Sequence, residues 1–368
     1  MSSTLKSRRL LVSLAAVAAI ATGVAACGGD DDTEATANSG GGGFSGQLAG
    51  AGASSQEAAQ EAWIAGFQDA NPDVTVAYDP VGSGGGREQF IAGGVSFAGT
   101  DSALSDDEGE RSAAIERCAP GTVLQVPVYI SPIAVIYNLE GVENLQLDAD
   151  TIAGIFAQEI TTWNDPAIAA TNPGVDLPAE RITPVNRSDE SGTTENFADY
   201  LAKAAPDVWK FEVDGYWPIG GGESAQGTSG VVEAVGAGNG TIGYADASQA
   251  GDLGVVSVKV GDGFVPPDPA AAATILENSE EVDEDDNIFS FDLDRDTDAE
   301  GVYPISLVSY AIACTQYESA TEAELVKAYL GYIISPEGQQ AAAANAGSAP
   351  LSQGLHDQIA PIVESIGS

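Results

Sequence analysis

Three segments of the chain combine glycines and hydroxyl side chains where a helix is expected to begin. They cover residues 50–55, 82–86 and 187–194, and they read GAGASS, GSGGG and RSDESGTT. Such a segment offers unpaired backbone N–H groups, the positive end of a helix dipole and a side-chain hydroxyl. A serine before one helix is usually only a cap. Three such segments, one of them carrying Arg187, indicate that they converge on an oxyanion.

The familiar catalytic and nucleotide-binding motifs do not occur in these segments. Residues 82–87 lack the last glycine of a dinucleotide fingerprint, and the chain has no Gly-Lys-Ser/Thr of the NTPase phosphate loop. Ser83 does not lie in a G-x-S-x-G elbow, and the chain has a single histidine, His356. A secreted phosphatase or serine hydrolase acting through Ser83 or Ser191 is therefore the weaker alternative, because it lacks a base.

The composition excludes several classes of protein. The chain has 368 residues, 13 Lys+Arg against 55 Asp+Glu, a formal net charge of -42 and 43% hydrophobic residues. This length allows two packed domains, and the apolar fraction is too high for a disordered acidic chain. A nucleic acid is excluded as a partner because so few cations could not neutralise a row of phosphates.

The N-terminus carries signals for export. A basic stretch at residues 6–9 precedes an apolar run over 10–26, which predicts a signal peptide and not a membrane span. The run ends in VAAC, so that Cys27 stands where a bacterial lipobox has its lipidated cysteine. Residues 1–26 are expected to be removed as a lipoprotein signal peptide. Residues 27–46, rich in Gly and Asp, are expected to form a flexible tether.

The other two cysteines are Cys118 and Cys314. An exported chain folds in an oxidising compartment, where such a pair can form a disulfide. Two buried free thiols are the alternative that the sequence leaves open. A metal site is disfavoured, because two cysteines without a nearby histidine do not make a zinc site.

Short β-branched runs alternate with helical patterns along the chain, which predicts an α/β architecture. Ser54 and Glu57 have the spacing of a capping box at the first helix. The predicted strands cover residues 74–78, 126–130, 133–137, 255–260 and 305–311, and the predicted helices cover 56–69, 150–157, 194–204, 229–236 and 322–334.

One acidic stretch, residues 277–300, stands apart from this alternation. Its D-x-D-x-D pattern at 292–296 is similar to the start of a calcium-binding loop. Thr297 and Tyr303, however, occupy the positions at which such a loop needs glycine and glutamate. We therefore expect a solvated acidic excursion and no calcium site.

Five segments of the chain together resemble a known family. GAGASS, VGSGGG, FAGTDSALSD, ITPVNRSDESGTT and GTIGYAD occur here in the order seen in PstS-type phosphate-binding proteins. These proteins are the substrate-binding components of an ABC phosphate importer. The resemblance covers roughly residues 47–355, and its most specific parts are RSDESGTT and GAGAS.

The resemblance implies a two-lobe type II periplasmic-binding-protein fold with a two-segment hinge. Residues 47–125 and 305–368 would form lobe I, and residues 126–304 would form lobe II. The hinge would cross near 125–127 and return near 303–304. Both Cys118 and Cys314 would then lie in lobe I, which is compatible with a disulfide between them.

The resemblance also implies a ligand set and a pairing. Asp189 corresponds to a family aspartate that holds the arginine guanidinium in place. Ser55 stands where an aromatic residue is common and would bind through its backbone N–H, and Glu190 replaces a more usual glycine. The implied phosphate ligands are Ser54, Ser55, Ser83, Asp101, Arg187, Ser191, Gly192 and Thr193.

The implied partners are inorganic phosphate, the transmembrane subunits of an ABC permease, and the membrane through the lipid on Cys27. The resemblance implies a monomeric binding protein outside the cytoplasm, which is not an enzyme and uses no cofactor and no metal. A protein for another oxyanion, such as sulfate or molybdate, is an alternative, as is a signalling or adhesive lipoprotein. Asp101 argues against sulfate, because an ionised carboxylate can only accept hydrogen bonds and therefore favours a ligand that keeps a proton.

Overall fold

The computed structural model describes residues 44–106, 109–277, 279–282 and 285–368. The predicted signal peptide, the predicted lipidation site at Cys27 and nearly all of the predicted tether lie outside these residues. Within the described residues, no helix combines the length and apolar character that crossing a membrane requires.

The described residues form strands and helices in alternation, as predicted. The strands are β1 (Gly46–Gly52), β2 (Val74–Asp79), β3 (Phe97–Thr100), β4 (Val123–Asn138), β5 (Gln146–Leu147), β6 (Thr183–Arg187), β7 (Glu223–Ala225), β8 (Thr241–Asp246), β9 (Gly254–Val255), β10 (Ser257–Val260), β11 (Gly263–Val265), β12 (Glu280–Glu281), β13 (Phe291–Asp292) and β14 (Ser306–Cys314). The α-helices are α1 (Glu57–Ala70), α2 (Ser83–Ile91), α3 (Glu110–Arg117), α4 (Ala149–Phe156), α5 (Pro166–Thr171), α6 (Gly192–Ala204), α7 (Gly227–Ala237), α8 (Pro269–Glu277), α9 (Ala320–Ile334), α10 (Pro336–Ala346) and α11 (Gln353–Glu364).

The largest sheet has the strand order β2-β1-β3-β14-β4-β8-β6-β7, with β9 pairing the side of β4. We call β2, β1, β3, β14 and the N-terminal part of β4 the first half-sheet. The C-terminal part of β4 with β8, β6 and β7 is the second half-sheet. In the first, β1 runs parallel to β2 and β3, and β14 lies antiparallel between β3 and β4.

Strand β4 joins the two half-sheets. The sequence predicted two strands here, separated at Pro132, but the structure has one continuous strand. Residues 123–132 pair with β14, and residues 133–138 pair with β8. Pro132 is tolerated because it lies where the strand changes partner, and Pro127 lies at an irregularity in the β4–β14 register. The chain passes between the two half-sheets twice, once in β4 and once just before β14. The backbone N–H of Ile133 donates to the carbonyl of Ile305 at 2.7 Å, so these two crossings lie side by side.

The acidic stretch exposes most of its carboxylates, as predicted, but other residues within it are anchored in the core. Phe289 and Leu293 are buried in the main core, and β12 pairs with β13. Arg295 is buried as well and donates to Asp199 of α6 at 2.6 Å. The prediction of solvated carboxylates agrees with their exposure, but it overlooked the apolar and cationic residues between them.

Cys118, at the end of α3, and Cys314, at the end of β14, form a disulfide with a Cα–Cα distance of 5.2 Å. Both cysteines are almost fully buried in the core. The structure therefore decides between the two alternatives in favour of the bridge.

Candidate functional site

The predicted ligand residues meet where several strands end. In the first half-sheet, Ser54 and Ser55 follow β1, Ser83 begins α2 after β2, and Asp101 follows β3. In parallel sheets, ligands bind at the carboxyl ends of the strands, where the connecting loops lie together. Arg187, at the end of β6, approaches from the second half-sheet. All eight predicted ligands are buried, namely Ser54, Ser55, Ser83, Asp101, Arg187, Ser191, Gly192 and Thr193.

Asp101 is the centre of this arrangement and is only 4% exposed. Its Oδ1 accepts from the hydroxyls of Ser55 at 2.7 Å and Ser309 at 2.6 Å. Its Oδ2 accepts from the Thr193 hydroxyl at 2.9 Å, and its backbone N–H donates to Ser83 Oγ at 3.1 Å. Asp101 therefore connects residues of both half-sheets.

Burial raises the pKa of Asp101 above its ordinary value. The hydroxyls of Ser309, Ser55 and Thr193 oppose this shift, as does the positive charge of Arg187. Each hydroxyl donates to a carboxylate oxygen, which favours the ionised form. The arrangement thus holds a buried acceptor beside a buried cation.

Asp189 holds the guanidinium of Arg187, as the resemblance implied. Its Oδ1 accepts from Nε at 2.8 Å and its Oδ2 from Nη2 at 2.5 Å, in the two-point geometry typical of an arginine–carboxylate pair. Asp189 also accepts from the backbone N–H of Gly227, the first residue of α7, at 3.1 Å. The guanidinium is thereby fixed by its own half of the molecule before any ligand binds.

Ser54 does not form the capping box that its spacing from Glu57 predicted. Residues 54–56 form a 3-10 turn, and α1 begins without a side-chain cap. The Ser54 hydroxyl instead accepts from the backbone N–H of Thr228 at 3.0 Å and lies 3.0 Å from the Thr228 hydroxyl. A long-range partner on α7 has replaced the local one, so Ser54 links the two half-sheets.

The helix α6 begins at the site. Ser191 caps it by accepting from the Thr194 N–H at 3.2 Å. A side chain at Gly192 would lie 2.7 Å from Asp101 Cβ and 2.8 Å from Ser83 Oγ. Only glycine allows this approach, and it directs the positive end of α6 toward the acceptor. The predicted convergence of the three segments is therefore present.

Several residues that complete the site were not predicted from the sequence. Ser309 reaches Asp101 from β14, Thr228 reaches Ser54 from α7, and the Gln249 amide donates to the Ser54 carbonyl at 2.9 Å. The Asn196 amide donates to the Asp101 carbonyl at 2.8 Å. Their partners lie far away in the chain, and the one available signal was the small polar residue among apolar ones in β14.

A family model described as a PBP superfamily domain matches residues 35–337, and the chain belongs to this superfamily of two-lobe binding proteins. Among curated proteins, the chain is 34% identical over 333 residues to phosphate-binding protein PstS2 of Mycobacterium bovis, with 87% of each chain covered. It is 31% identical to phosphate-binding protein PstS of Xylella fastidiosa, covering 75% of this chain and 74% of the other. The family resemblance drawn from the sequence is thus confirmed.

Solved structures confirm the predicted fold. A high-affinity periplasmic phosphate-binding protein, PfluDING, solved with phosphate, matches with a TM-score of 0.67. It is 22% identical and covers 85% of this chain and 93% of its own. A phosphate-binding protein from Stenotrophomonas maltophilia matches with a TM-score of 0.66 at 20% identity, covering 86% and 93%. Both matches support the type II two-lobe architecture.

Proposed function

We propose that this chain captures inorganic phosphate outside the cytoplasmic membrane and delivers it to an ABC permease. The proposal rests on one observation: a buried cation and a buried hydrogen-bond acceptor lie at the strand ends. Arg187 supplies a fixed cation, and Asp101, 4% exposed, supplies a fixed acceptor. The relatives named for phosphate binding support the same ligand.

The proposed ligand set is the one implied by the sequence. Arg187 would bind two phosphate oxygens through its planar fork. The backbone N–H groups at the start of α6 and the serine and threonine hydroxyls would bind the remaining oxygens. In this set Asp189 touches the arginine and not the ligand, so it is a positioning residue. The full set is Ser54, Ser55, Ser83, Asp101, Arg187, Ser191, Gly192 and Thr193.

Asp101 would select phosphate over sulfate because its carboxylate can accept a hydrogen bond from a protonated ligand oxygen. A carboxylate has about four acceptor positions, and the hydroxyls of Ser55, Ser309 and Thr193 occupy three of them. The fourth, on Oδ2, is available to a ligand O–H. Phosphate keeps a proton near neutral pH, whereas sulfate has none and would meet only like charge. Such a clash in a buried site costs several kcal/mol.

We propose that the two lobes correspond to the two half-sheets. The change of partner in β4 falls between Pro132 and Ile133, later than the boundary expected at 125–126. The return crossing falls near Ile305, close to the expected 303–304. A hinge at these two adjacent crossings would let phosphate favour the closed state through contacts that only closure forms.

The test is calorimetric titration of residues 28–368, freed of bound ligand, with phosphate and then sulfate. We expect one phosphate per monomer with a Kd near 1 μM, about -8 kcal/mol, and no heat with sulfate. A folded, ligand-free protein that gives no heat with phosphate would overturn the proposal. Saturable sulfate binding would favour the protein for another oxyanion.

We also propose that lipid on Cys27 holds the chain to the membrane, with the following residues as the tether. Two or more acyl chains provide stable anchoring. Cys27→Ala is expected to release the protein into the soluble fraction of fractionated cells, while Cys118 and Cys314 remain bridged. Retention of the variant on membranes would show that another segment anchors it.

A further inference from the structure

Arg87 is a second buried arginine close to the site, and it belongs to the first half-sheet. It lies on α2, and its side chain is 7% exposed. Its Nε donates to Glu110 of α3 at 2.8 Å, and its Nη1 donates to the Thr100 hydroxyl at 3.2 Å. These two partners fix the guanidinium within its own half of the molecule.

The third partner of Arg87 comes from the other half. Glu190, in the loop between β6 and α6, accepts from Nη2 through Oε1 at 2.5 Å and is 28% exposed. Its carboxylate also packs on the first turn of α2. A Cβ placed on Gly84 would lie only 2.2 Å from Glu190 Oε2. The ion pair therefore joins two segments that each carry proposed ligands, because α2 begins at Ser83 and Glu190 precedes Ser191.

We infer that the Arg87–Glu190 pair is a latch that holds the two half-sheets together over bound phosphate and slows its release. The inference rests on the proposed phosphate binding. The pair belongs to the closed arrangement alone, since opening the cleft would separate α2 from the loop before α6. Its free energy therefore adds to the closed state without any contact to the ligand. The resemblance gave Glu190 as a departure from the usual glycine, and the latch gives that departure a role.

A latch and a simple effect of the electric field predict different changes in phosphate binding and release when each charge is removed. If only the electric field of these groups mattered, removing the Arg87 charge would weaken anion binding, and removing the Glu190 charge would strengthen it. A latch requires both partners, so removing either one speeds the release of phosphate. The two removals then change the release rate in the same direction.

Release of inorganic phosphate from the full exported chain, followed by stopped flow with an excess fluorescent phosphate reporter, tests the inference. The variants are Glu190→Ala, Arg87→Met and the double variant, and methionine keeps the apolar stem of the arginine. Glu110→Ala is the matched control, because it removes a carboxylate from the same guanidinium without cutting a contact between the halves. Thermal unfolding checks that each variant is folded.

We expect each single variant to release phosphate about fivefold faster, and the double variant to be no faster than either one. The Glu110→Ala rate should stay within about twofold of the original. Opposite changes for Glu190→Ala and Arg87→Met, or equal acceleration by Glu110→Ala, would overturn the latch. Should Arg87→Met fail to fold, Glu190→Ala against Glu110→Ala still decides.

The outcomes separate the latch from the function on which it rests. If the unsubstituted protein binds phosphate and Glu190→Ala releases it at the same rate, the latch alone is overturned. An original chain that fails to bind phosphate would overturn the proposed function and the latch with it.

Discussion

Asp101 and Asp246 occupy matching places in the two halves of the molecule. Asp101 directly follows β3 in the first half-sheet, and Asp246 is the last residue of β8 in the second. Both are buried, and both accept from hydroxyl groups. Asp246 Oδ1 accepts from Tyr129 at 3.1 Å and from Ser248 at 2.5 Å. The two carboxylates thus share a residue type, a position and a kind of partner.

They differ in their electrostatic surroundings and in the use of their second oxygen. Asp101 has the positive field of Arg187 and uses Oδ2 to accept from Thr193. Asp246 Oδ2 has no hydrogen-bond partner among the described residues, and burial raises the pKa of Asp246 to about 6. At Asp101 the charge of Arg187 adds to three hydroxyl hydrogen bonds that favour the ionised form. At Asp246 burial outweighs the hydrogen bonds and favours the proton.

Replacing the charge-stabilised carboxylate should have the largest effect. Asp101→Asn keeps an acceptor for the hydroxyls but puts an N–H donor where the ligand proton would bind. We expect the preference for phosphate over sulfate to fall about a hundredfold, measured by calorimetric titration with both anions. Asp246→Asn is the matched control and should leave both affinities unchanged.

Unchanged affinities of Asp101→Asn for both anions would break the comparison. The two aspartates would then both be structural, and the proposed role of Asp101 in recognising the ligand proton would be wrong.

A smaller effect is expected for Asp246→Asn, on stability and not on binding. Between pH 4 and 6, the folded protein keeps the Asp246 proton while the unfolded chain loses it. The free energy of unfolding therefore falls as pH rises through this window, by on the order of 2 kcal/mol from this group. Asp246→Asn should remove that part of the slope in urea unfolding from pH 4 to 7.

The control for this measurement is Asp79→Asn, at the exposed end of β2. Its unfolding free energies should run parallel to those of the original chain. A parallel profile for Asp246→Asn as well would mean that Asp246 is ionised throughout, like an aspartate with a cation beside it.

The sequence predicted the parts of the site that lie close together along the chain. The three glycine and hydroxyl segments are local features. Family resemblance added the pairing of Arg187 with Asp189, and it added Asp101, which its own surroundings in the sequence did not distinguish. The apolar strands β4 and β14 were also recognisable, because each is rich in β-branched residues.

The sequence could not reveal features that depend on tertiary contacts. A helix was expected to begin near residues 82–86, but α2 already includes Gly84, Gly85 and Gly86, which disfavour a helix, and tertiary packing overrides that preference. The capping-box spacing at Ser54 is present in the sequence, but the Ser54 hydroxyl bonds to Thr228 on α7 and does not cap α1. Ser309 and Asp101 are 208 residues apart, a separation at which no local pattern carries information.

The position of β14 has a consequence for how the chain folds as it is synthesised. The first half-sheet needs β14, from residues 306–314, between β3 and β4, so it cannot be completed until nearly the whole chain has been made. The second half-sheet is formed by residues 133–255, which follow one another closely and can pair earlier. The half that begins the chain is therefore the last to be completed, and the Cys118–Cys314 bridge cannot form before residue 314 is available.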